Sequence, residues 1–181
     1  MKKIVVIAVV SIMTLMAIGC KQQEQKQQQQ LNYSPSAPPV QSQIDQMEQA
    51  AKLAPKNAQS WIDLGNTLMD AQRYGEAVGS YEKALALDPR NVAVLVDQGT
   101  CYRGIGKFDK AEEQYRKALK IDPNFPNGHR NLGVVLAYDL HDRAQGIKEF
   151  KRYLELVPNA PDADSVRSSI KELSAGMPGG K

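Results

Sequence analysis

This chain of 181 residues has only two cysteines, two histidines, one tryptophan and a net charge of +3. Each shortage excludes something. Two cysteines cannot form a disulfide framework, so the fold must be held by packing. His129 and His141 stand at no metal-ligand spacing to one another, to a cysteine or to a carboxylate, so no metal is expected. No glycine-rich phosphate loop is present, because Gly104-Ile105-Gly106 falls in a turn between helical stretches. Paired acids such as Glu112-Glu113 fall on a solvated helix face, and no catalytic constellation emerges. The near-neutral balance offers no basic stripe for nucleic acid. These gaps point away from an enzyme, a cofactor and a small-molecule substrate.

Long apolar runs are scarce as well. The longest uncharged one, Ile4 to Ile18, has 15 residues, whereas a membrane helix needs about 20. Behind the basic start Met1-Lys2-Lys3 it reads as a secretory signal. It ends Leu15-Met16-Ala17-Ile18-Gly19-Cys20, which resembles a bacterial lipoprotein lipobox, with Ala17 where leucine is more usual. The resemblance implies a signal peptide over 1–19, cleavage after Gly19, and a lipid on Cys20 that anchors the protein in the bacterial cell envelope. In a diderm host, Lys21 after the cysteine implies the outer membrane, facing the periplasm. Loss of Lys2 and Lys3 would lower the net charge to 3 − 2 = +1. Cys101, the remaining thiol, occupies a position held by Thr67 and Val135 at the repeat spacing described below, and is expected to be a buried packing residue.

Residues 20–41 read as a tether. Seven of the ten residues 21–30 are glutamine, and Pro35, Pro38 and Pro39 follow. Such a stretch has too little apolar surface to offset its conformational entropy.

What the chain has in abundance is periodicity. Pro55, Pro89, Pro123 and Pro158 are separated by 34, 34 and 35 residues. Gly65, Gly99 and Gly133 keep the same step, as do Ala77, Ala111 and Gly146, and Tyr81, Tyr115 and Phe150. One copy reads Trp61-x2-Leu64-Gly65-x2-Leu68, then Ala77-x3-Tyr81, then Pro89. A 34-residue period with these residue classes in one register resembles the tetratricopeptide repeat family over residues 42–174. The resemblance implies an all-α, right-handed solenoid of about three helix pairs, opened by a half repeat and closed by a capping helix, with a flexible tail over 175–181.

Apolar spacing predicts helices over 43–54, 58–71, 74–87, 92–105, 108–121, 126–139, 142–156 and 162–174. Asn57 and Asn91 stand as N-caps, and Pro126 suits a first helical turn. The repeat glycines are expected to oppose Ala77, Ala111 and Gly146 where paired helices cross. The third repeat carries one extra residue, placed by register in the turn within Ala137 to Gln145. Tyr153 replaces the small residue that Ala84 and Ala118 supply elsewhere.

In this family the leading helices line a concave, peptide-binding groove. Carried over by register, the groove positions are Gln59, Ile62, Asn66, Met69 and Asp70; then Ala93, Val96, Thr100 and Arg103; then Asn127, Arg130, Val134 and Tyr138. Asp63, Asp97 and Asn131 fall on its edge. The family's carboxylate clamp is not reproduced. Its first lysine is Ile62, an expected asparagine is Asp97 and its last arginine is Val134, so only Asn66 and Arg130 fit. A groove with apolar anchors suits a hydrophobic peptide segment. Two roles follow from the resemblance: an envelope scaffold assisting assembly of a pilus- or secretin-like complex, or a holding chaperone that presents exported chains, as in cytochrome c maturation.

Overall fold

Each second helix stops just short of a proline, which cannot continue the helical ladder. The computed structural model describes residues 39–175. Cys20, the signal assignment 1–19, the tether up to residue 38 and the last six residues, 176–181, lie outside the described residues. The helices are α1 Val40–Leu53, α2 Ala58–Asp70, α3 Tyr74–Leu87, α4 Val92–Gly104 and α5 Phe108–Ile121. Then come α6 Pro126–Val134, prolonged by a π-helical turn Val135–Asp139, α7 Arg143–Leu156 and α8 Ala163–Ala175. No strand occurs among the described residues. α1 starts three residues earlier than expected, inside the stretch read as tether.

Start signals act where the sequence puts them. The Asn57 side chain accepts from the Gln59 amide at 3.0 Å, and that of Asn91 from Val94 at 3.2 Å. Pro126 opens α6. Asn57 and Asn91 thereby satisfy donors that have no partner inside the helix.

The helices pair α2 with α3, α4 with α5 and α6 with α7, and each pair stacks on the next. First helices also touch one another, α2 to α4 and α4 to α6, whereas α3, α5 and α7 make no contact of comparable extent. Closer approach on one side curves the stack, so the first helices line its inner face. The architecture is an α-solenoid.

The repeat glycines set the intrapair distance, against a different partner from the one expected. A Cβ on Gly65 would lie 2.5 Å from the Tyr81 ring, one on Gly99 2.6 Å from Tyr115, and one on Gly133 2.6 Å from Phe150. Their nearest opposing groups are therefore the aromatic rings, not Ala77, Ala111 or Gly146. Gly146 instead faces Ala137, whose Cβ would be 2.6 Å from an added methyl. Only a bare backbone lets a full ring lie flat against the helix. Ala77 and Ala111 are completely buried.

The extra residue of the third repeat falls within the expected span, Ala137 to Gln145, but in the end of the helix rather than in the turn after it. At the ends of α2 and α4, Arg73 and Lys107 bond back five residues, to the carbonyls of Leu68 and Tyr102. The equivalent bond in the third repeat, Asp142 to Leu136 at 2.7 Å, spans six. The left-handed residues Gln72, Gly106 and His141 that follow each helix are in register, so the insertion precedes His141. It is absorbed as a wide turn of the helix itself, the usual way one residue enters a helix without breaking it.

Most of the core forms one cluster from Ile44 to Leu136, with Tyr81, Tyr115, Leu95 and Cys101 fully buried. A second cluster comprises Ala137, Ile147, Phe150, Tyr153, Val166 and Leu173. The seam between them passes through the π-helical turn.

Candidate functional site

The inner face is built from α2, α4 and α6, which equivalent positions populate one repeat apart. Gln59, Ala93 and Asn127 are all exposed there. Ile62 and Met69 are half-buried, each with one side on the main core; Val134 is half-buried against the second cluster. Asp70 and Tyr138 are exposed.

Three expected groove residues serve the scaffold instead. Val96 is 4% exposed and belongs to the core. The strip Ile62, Val96, Arg130 is therefore not continuous at the surface: α4 is flanked by a first helix on both sides, which covers its middle. Asn66 accepts a hydrogen bond from the Tyr81 hydroxyl at 2.7 Å, and Thr100 shares one with Tyr115 at 3.2 Å. In the third repeat the aromatic is Phe150, which has no hydroxyl, and the position is Val134. The polar seat and the hydroxyl are present together or absent together.

The two cations of the face are also engaged. Arg103 pairs with Asp139 on the π-helical turn. Arg130 pairs with Asp162, which also accepts from the Tyr153 hydroxyl at 2.5 Å. The Tyr153 hydrogen bond, then Arg130, holds the Asp162 carboxyl below the usual carboxylate range. Tyr153 thus fills the position that Ala84 and Ala118 hold and uses it to fasten the start of α8. These ties join residues 32 to 36 apart in sequence, which no short motif announces.

The ring at the Trp61 position has a second task. The Trp61 indole N–H donates to the carbonyl of Pro55 at 3.0 Å, and His129 Nε2 lies 2.9 Å from that of Pro123. His129 Nδ1 meets the Glu149 carboxylate at 2.6 Å. The histidine, at the register position of Trp61, is buried. Leu95 takes this place in the middle repeat. Cys101 is fully buried, and burial pushes its thiol up to about 12, leaving it unreactive at neutral pH.

The family profile described as tetratricopeptide repeat matches residues 44–92 and 62–128. Residues 44–128 thus match tetratricopeptide repeats. The third helix pair and the capping helix extend the same fold. The solved TPR domain of Arabidopsis OM64 is similar, with a TM-score of 0.60 at 19% identity, over 64% of this chain and 94% of that one. MamA gives 0.63 at 18% identity, over 72% and 81%. The first TPR of Spaghetti (RPAP3), solved bound to the HSP90 peptide SRMEEVD, gives 0.60 at 24%, over 65% and 93%. No curated protein matches the sequence.

Proposed function

We propose that this protein is a non-enzymatic scaffold that holds a peptide segment of a partner protein along the inner face of its tetratricopeptide repeats. The observation that carries this is the side-by-side approach of α2, α4 and α6, which leaves Gln59, Ala93 and Asn127 exposed in one row beside the half-buried Ile62 and Met69. The similar Spaghetti domain was solved with such a peptide bound. The lipobox-like segment ending at Cys20 supports a tether to the bacterial envelope, and a scaffold so placed would assist assembly of an envelope complex.

Photo-crosslinking tests the face. A photoreactive residue at Gln59, Ala93 or Asn127 should crosslink the partner in cells, and one at Glu82, Arg116 or Lys151 on the second helices should not. Equal yields from both rows would overturn the inner-face reading. For the anchor, Cys20→Ser should leave the protein unprocessed or released from membranes; a variant cleaved and retained like wild type would rule out lipidation.

A further inference from the structure

Once its internal pairs are counted, the inner face has charge of one sign only. Arg103 and Arg130 are neutralised by Asp139 and Asp162. Asp63 accepts from the uncharged amide of Gln59 at 2.8 Å. Asp70 and Asp97 have no ion-pair partner among the described residues. Asp97 is half-buried on the central helix, where desolvation alone raises its carboxyl above the usual range. A carboxylate placed like this has given up hydration without gaining a counter-charge.

Met69 is followed directly by Asp70 on α2, and α2 lies against α4, the helix that carries Asp97. The Tyr81 phenol, raised first by burial, is raised further by the charges of Asp97 and Asp70. Its hydroxyl is 3.8 Å from the Met69 sulfur. An apolar surface thus adjoins two carboxylates that lack cations.

We propose that the inner face of α2 and α4 takes an extended segment carrying lysine or arginine beside an apolar side chain, with the cation at Asp97 and the apolar anchor on Ile62 and Met69. This rests on the peptide-groove reading above and names the chemistry of the occupant. It reverses the polarity of a carboxylate clamp. Charge complementarity selects the occupant: an acidic segment would meet only like charge here, and a purely apolar one would leave Asp97 without a partner.

The test is a selection of random 12-residue peptides displayed on phage against the purified full chain, followed by titration of the enriched peptides as synthetic probes. Enriched peptides should carry Lys or Arg near Leu, Ile or Phe. Their affinity should fall about tenfold with Asp97→Asn, the loss of one partly desolvated charge pair, and should weaken with added salt. The same Asp97→Asn substitution should raise the melting temperature, which a merely structural carboxylate would not do. Neutral or acidic peptides that depend on Ile62→Ser and Met69→Ser but not on Asp97 would overturn the charge assignment and leave the groove standing. Peptides that bind all variants alike, or no enrichment, would count against the groove itself.

Discussion

One methyl group separates two kinds of glycine in this chain. At Gly99 it would collide with the Tyr115 ring at 2.6 Å, while at Gly79 it would meet nothing within 4 Å. Gly99→Ala should therefore destabilise by about 1–3 kcal/mol through overpacking. Gly79→Ala, inside α3, should stabilise by about 0.5–1 kcal/mol because glycine is the costlier helix residue. Chemical denaturation of the two variants checks both signs, and equal midpoints would refute the seam. The Tyr81–Asn66 pairing gives a sharper case. Tyr81→Phe should cost about 1 kcal/mol by stranding Asn66. Phe150→Tyr should be tolerated better when Val134→Asn supplies the missing seat, a positive coupling that a double-mutant cycle measures.

Among the elements, α8 depends most on a polar tie. Asp162 has a lowered pKa in the folded state, so the unfolded chain binds its proton more readily. The stability it adds is present above the ordinary carboxylate range, about pH 4, and is lost as pH falls through the lower folded value. Amide exchange in α8 should therefore be faster in Asp162→Asn than in wild type at neutral pH, and the gap should close under acid. A gap of constant size from neutral pH to pH 2 would assign the tie no role. Helix existence was legible from the sequence because proline, glycine and aromatic positions all kept one register. Boundaries came within one to five residues, the largest error falling where the chain goes π-helical after Val134. A period of 35 announced an extra residue but not its place, since a wide helical turn and a longer loop have the same count. Val96 escaped because periodicity gives a residue's face and not the depth to which neighbouring helices cover it. Arg103 and Arg130 look like free groove cations in the sequence because partners more than 30 residues away are fixed only by stacking.

At the scale of the whole array, the core is divided. Leu136 closes the main cluster and Ala137 opens the second, so α7 and α8 share little apolar surface with the rest, while Leu132, Val135 and Leu136 keep α6 in the main core. Repeat arrays open in units when an interface is weak. Native-state hydrogen exchange should show α7 and α8 opening at a lower free energy than α3 to α5. One uniform opening energy would show that the π-helical seam transmits cooperativity intact.

The two halves also adhere by different means, and that gives the solenoid an uneven mechanical compliance. Buried side chains join the layers from Ile44 to Leu136, an adhesion nearly indifferent to ions, and the polar ties of the first layers, Arg73 to Gln41 and Tyr102 to Glu82, are not ion pairs. From Arg103 onward ion pairs are added to the cross-ties: Arg103 to Asp139 and Arg130 to Asp162, beside Arg116 to Gln145 and Arg152 to Asn124. Salt loosens such exposed ties and leaves apolar seams unaffected or tighter. The array therefore behaves as a spring with one stiff end and one end whose curvature responds to ionic strength, and the stiff end is the one that carries Asp97.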